Sequence, residues 1–180
     1  MLSFFKLSRK KKEDLDVTIN KYVKSINDVI DSGFIEIKDF INENNNLNKS
    51  PGIKDDDIRW FRIIIILGNI NELKNYFEEP QALKMRDKII EDSLNYFKSS
   101  SSITMEHFID YSDFFNQLVS VHETSSKSMA YALFEKYEIN SCQVDLFRRK
   151  NEPNPVFVHE LKNLLSHFLW NWSDYLKKFK

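Results

Sequence analysis

The chain holds four histidines, and three of them stand beside a carboxylate: Glu106-His107, His122-Glu123 and His159-Glu160. Such pairs invite a metal-ligand or proton-relay reading. Adjacent residues on a helix, however, point about 100° apart, so these dipeptides do not aim two donors at one ion. The spacings that would do so, His at i and i+4 or Glu at i with His at i+3, occur nowhere in the sequence. Only His107 and Asp110, three apart, share a helical face and could share an ion or a proton. The expectation is therefore surface or structural histidines, with no metal and no cofactor. The single cysteine, Cys142, excludes an internal disulfide and a thiolate-only metal site. Its use as a nucleophile would require the fold to bring His159 to it, and the expected role is a small buried apolar group. No Gly-x-Ser-x-Gly elbow occurs, and three scattered glycines cannot build a phosphate cradle.

A second polar constellation is Lys162-Asn163-Leu-Leu-Ser-His167, early in the last helical segment. These six residues resemble the arginine–polar–spacer–histidine signature of the HEPN superfamily, helical bundles that often act as metal-independent ribonucleases. The resemblance implies catalytic roles for Lys162, Asn163 and His167. It departs at the first position, where lysine keeps the charge but lacks the planar fork that grips a phosphate by two bonds. Residues five apart on a straight helix also diverge by about 140°, so the pair would need a bend or a dimer partner.

Three further features suggest binding. At the amino terminus Leu2, Phe4, Phe5 and Leu7 precede Arg9-Lys10-Lys11-Lys12. Aromatic side chains sink into a lipid interface and each nearby basic residue adds about 1 kcal/mol on an anionic membrane, so this segment is a candidate membrane contact. Arg148-Arg149-Lys150 falls in a break before the last helix, exposed to an acidic partner or a nucleic acid, or simply solvated. Trp170 and Trp172 stand with Phe168 and Leu169 where apolar residues wrap more than one helix face. Burial explains them, and a partner surface is the alternative.

The elements that would position these residues are helical. Leu15, Ile19, Tyr22, Val23, Ile26, Val29 and Ile30 return every three or four places and predict a helix over residues 13–32, interrupted by Gly33. Residues 34–41 extend it after a kink or form a strand. An Asn-rich loop over 42–52 ends in Ser-Pro-Gly. Asp55, Asp56 and Asp57 open a helix running to about Phe77, whose Ile63–Ile66 core is apolar all round and hence central. Helices over 81–98, 104–122 and 129–137 follow, with a linker at 99–102 and a break at 123–128. A short helix lies near 142–149. Asn154 and Pro155 start a final helix through Phe179, with Leu161, Leu164, Leu165, Phe168, Trp172, Tyr175 and Leu176 along its seam.

The whole is an all-α, irregular bundle of about six helices in a single domain over residues 13–180, preceded by a flexible basic and aromatic tail over 1–12. Only 3 Gly and 4 Pro in 180 residues leave few tight turns for sheets. Lys and Arg total 26 against 27 Asp and Glu, for a net charge of -1, which argues against a dedicated double-stranded nucleic-acid binder. The apolar run Ile63–Leu67 is too short to span a bilayer, and the amino terminus has its charges on the wrong side for a signal peptide. A cytoplasmic protein is expected, at most peripheral to the inner membrane face. Asn-, Ile- and Lys-rich usage suits an AT-rich bacterial or phage genome. The sequence thus points to a non-enzymatic helical interaction protein, an immunity factor, inhibitor or adaptor acting on a protein partner. The alternatives are the HEPN-like ribonuclease and a membrane-surface adaptor held by residues 1–12.

Overall fold

Four consecutive isoleucines set the architecture. Ile63–Ile66 are all fully buried within one helix, which must therefore be enclosed on every side. A computed structural model describes the backbone of residues 2–98 and 102–177 and the side chains of residues 16–98 and 102–174. Within it, α2 (Ile58–Glu72) is the central rod. Helices α1 (Leu2–Asn42) and α5 (Ser125–Lys136) pack against it. In an outer tier, α3 (Glu79–Phe97) leans on α1, while α4 (Met105–His122) and α7 (Pro155–Ser166) lean on α5. Short helices α6 (Asp145–Lys150) and α8 (Trp172–Lys177) complete the eight described, where about six were expected. Among the described residues there is no strand, only an isolated bridge between Leu47 and Gln143.

The extra helices arise where the sequence pattern is silent about breaks. The last predicted helix is two. Asn69 of α2, itself buried, donates from Nδ2 to the Phe168 carbonyl at 2.9 Å and accepts from the Trp170 amide at 2.7 Å. It thereby takes up the backbone groups that a continuing helix would use, and the chain turns. Asn171 then accepts from the Asp174 amide and restarts the helix as α8.

Two glycines serve contact rather than interruption. α1 runs unbroken through Gly33, and residues 34–41 are helix, not strand. A Cβ at Gly33 would lie 2.6 Å from Phe168 Cζ, so the missing side chain lets that ring rest on the helix. Gly68 does the same for Met129 across the α2–α5 contact.

Other boundaries follow local chemistry. Asn42 closes α1 by bonding both the amide and the carbonyl of Ile53. Asp57 accepts from the Lys54 amide at 2.8 Å and opens α2 through a 3-10 turn over Asp55–Asp57. α2 ends at Glu72, before the expected Phe77, in a 3-10 turn over Leu73–Asn75. The break before α5 is only Glu123 and Thr124, because Thr124 Oγ1 caps the helix at the Lys127 amide. The expected linker at 99–102 lies almost wholly outside the described residues. The backbone of residues 2–12, read as a tail, is the start of α1, while the side chains there lie outside the described residues.

Candidate partner-binding groove

α3 and α4 are anchored to different neighbours, and this difference opens a cleft. On α3, Tyr96 faces α1, and its hydroxyl donates to Asp28 at 3.0 Å. On α4, Tyr111 turns toward α5, where its hydroxyl reaches the Ala132 carbonyl. Between the two outer helices, above α2, remains a groove of about 390 Å³. Leu67, Ile70, Ile90, Phe108 and Phe115 line its apolar interior. Met105 and Ile109 form its lip, 43% and 61% exposed, and carry the apolar lining out to the edge of the groove.

The charged residues that line the groove are Arg86, Asp87 and Asp113. Arg86 is tied to Asp87 at 2.8 Å, so its charge is largely spent within the rim. Along the crest of α4, Glu106, Asp110 and Asp113 are all exposed, and none makes an ion pair among the described residues. α4 contains neither Lys nor Arg. Apolar floor, exposed apolar lip and unanswered carboxylates suit an occupant that is apolar on one side and basic on the other.

The opposite flank of α4 is occupied by its own residues. Lys136 Nζ lies 3.7 Å from the centre of the Trp60 ring and 4.7 Å from that of Tyr111, with Arg59 5.0 Å over the same indole. Burial first, and then Arg59, hold the Lys136 amine below its ordinary value. His107 edges against Trp60, and its Nδ1 lies 3.1 Å from the Thr104 amide as part of the α4 cap. No hydrogen bond or ion pair joins His107 to Asp110 among the described residues. His122 stacks on Tyr131 at 3.6 Å.

The residues singled out from the sequence are scattered. Trp172 is fully buried against Tyr22 and Phe77, which removes it from any surface and makes it a core pillar. Trp170 is half-buried and packs edge-on against Tyr22. Arg148, Arg149 and Lys150 are exposed on α6, where Arg148 and Arg149 both bond Asp145, at 2.6 and 3.4 Å. Lys162 is half-buried and Asn163 exposed on α7, and His167 caps the end of that helix, also exposed. Asn163 Nδ2 lies 3.2 Å from His159 Nε2, and no hydrogen bond joins Lys162 or Asn163 to His167 among the described residues. Cys142 is buried beside Ser141, and His159 is exposed on α7. The side chains of Phe4, Phe5, Arg9, Lys10, Lys11 and Lys12 lie outside the described residues. Among the described residues no group of three His, Cys, Asp or Glu side chains is placed to hold a metal ion, and no helix is long and apolar enough to cross a membrane.

The sequence did carry a signal for the groove. In α4, Ile109 lies outside the Phe108–Tyr111–Phe115 core stripe, and every charge on the helix apart from its histidines is acidic. Comparison with protein-family models, with curated proteins and with solved structures finds no match to this chain.

Proposed function

We propose that the protein is a helical interaction module whose α3–α4 groove receives a basic amphipathic helix of a protein partner. The observation that carries this is the exposed Met105–Ile109 lip over an apolar floor, beside three carboxylates with no ion-pair partner among the described residues. A helix laid in the groove would cover the lip with residues spaced three and four apart. Its Lys or Arg residues would meet Glu106, Asp110 and Asp113. Immunity, inhibition or adaptor roles would all work by such occupation. The reading also keeps the protein in the cytoplasm of a bacterial or phage-infected cell, where the buried Cys142 thiol stays reduced.

A direct test is binding of a synthetic leucine–lysine amphipathic helix to the full chain at low protein concentration, followed by fluorescence of a label on the peptide. Binding should weaken on adding salt and fall at least ~10-fold in Ile109→Glu, the equivalent of about 1.4 kcal/mol. Equal binding of a leucine–glutamate peptide, or unchanged affinity in Ile109→Glu, would refute the proposal.

A further inference from the structure

We infer that the Trp60 flank of α4 is an anion site, and that it takes the doubly charged phosphate group of a small molecule. Three helices bring nitrogen donors to one half-buried indole. Arg59 of α2 lies with Cζ 5.0 Å from the centre of the Trp60 ring, and Lys136, at the end of α5, with Nζ 3.7 Å from it. His107 of α4 meets the same ring edge-on. The Thr104 amide donates to His107 Nδ1 at 3.1 Å, so the neutral imidazole carries its proton on Nε2. Among the described residues no acceptor takes a hydrogen bond from the Arg59 or Lys136 side chain or from His107 Nε2, and neither cation makes an ion pair.

Other shielded cations of this molecule are answered by carboxylates: Arg62 rests on Asp31, Lys38 on Asp55 and Lys88 on Asp92. At Trp60 the charge that acts on Lys136 is Arg59, of the same sign. The carboxylates of Glu135 and Asp57 act on Tyr111 and Tyr137 instead. Their distances to one ring centre keep the two cations within about 9 Å of each other, inside the screening length of ~10 Å at 0.1 M salt, so their fields add at the margin of the indole. The aromatic faces steady the cations but accept nothing from the N–H bonds that point away from the rings. Two positive charges match a phosphate dianion better than a carboxylate. The guanidinium fork pairs with two of its oxygens, and the lysine ammonium is a point charge for a third.

Amide and indole chemical shifts of the labelled full chain test this at constant ionic strength, with inorganic phosphate, glycerol phosphate and acetate as probes. Phosphate should shift the Trp60 indole and the amides of Arg59, His107 and Lys136, and acetate should bind at least ~10-fold more weakly, about 1.4 kcal/mol. The tighter of the two phosphate probes identifies the source as free ion or ester. Lys136→Gln and Arg59→Gln should each weaken phosphate at least ~10-fold, whereas Lys136→Arg, which keeps the charge, should stay within ~3-fold of wild type. That rescue separates a lost ligand contact from a lost fold. The Lys136 amine should titrate higher in phosphate than in chloride, which ring packing alone would not produce. An unmoved Trp60 indole at about 20 mM phosphate overturns the inference. So does acetate that binds as tightly as phosphate, a Lys136→Gln chain that binds as wild type does, or a Lys136→Arg chain that binds no better than Lys136→Gln.

Discussion

Replacing Asn69 by alanine should be among the most damaging small changes in the molecule. Asn69 is 1% exposed, and its amide Nδ2 donates at 2.9 Å to both the Ile65 and Phe168 carbonyls, while Oδ1 accepts from the Trp170 amide at 2.7 Å. The bond to Ile65 lies within one turn of α2 and matters least, since that carbonyl also belongs to the helix ladder. The other two are long-range and strand a carbonyl and an amide when lost. Each stranded buried group costs about 1–3 kcal/mol. The lower half of that range applies here because Trp170 is only half-buried and water can reach part of the turn, giving a total of about 3 kcal/mol. Urea denaturation followed by tryptophan fluorescence should show a lower midpoint with an unchanged slope. Hydrogen exchange at the Trp170 amide should accelerate more than at amides in the centre of α2. A loss below about 1 kcal/mol, or exchange that rises equally throughout, would refute the view that this side chain holds the α7–α8 turn.

Asp31 and Arg62 should behave asymmetrically. The guanidinium is almost fully buried over Phe97, whereas Asp31 is 37% exposed, so Asp31→Ala strands a buried charge at a cost of about 2 kcal/mol, and Arg62→Met, measured in the same denaturation assay, costs about half that. Gly68→Ala drives a methyl group into Met129 Sδ and to 2.9 Å from its Cγ; it should destabilise by about 1–3 kcal/mol, and adding Met129→Ala should recover part of that loss. His122 is held below its usual value of 6.5, first by burial and then by Lys127. The unfolded chain therefore takes up this proton first as the pH drops, so the stability it contributes is intact above pH 6.5 and is lost as pH falls toward the lower folded value. His122→Gln should flatten that segment of the urea-midpoint profile against pH.

Local regularities made most of the bundle legible. The stripe from Ile19 to Ile30 is buried on α1 apart from the exposed Val29, and the all-isoleucine run is the buried centre of α2. Thr104 and Asn154 sit at the starts of α4 and α7, where capping chemistry places such residues. The remainder depended on contacts between residues distant in sequence. Gly33 reads as a helix breaker until Phe168 is seen lying on it, 135 positions later in the chain. The end of α7 is set by Asn69, which nothing in the seam from Leu161 to Trp172 announces. Trp172 has the composition of a binding residue, yet Tyr22 and Phe77 enclose it. The groove was legible only in part: Ile109 and the acidic face of α4 show in the sequence, but the cleft exists because α3 packs on α1 and α4 on α5, and neither packing is written in one helix alone.

The role of the groove turns on where a basic amphipathic helix lands. Amide chemical-shift mapping on the isotope-labelled full chain, titrated with the leucine–lysine helix, reads this position by position. Shifts concentrated at residues 86–90 and 105–116 are the expected result. Shifts centred on Arg148–Lys150 or on the exposed end of α7 at His167, with α3 and α4 undisturbed, would contradict it.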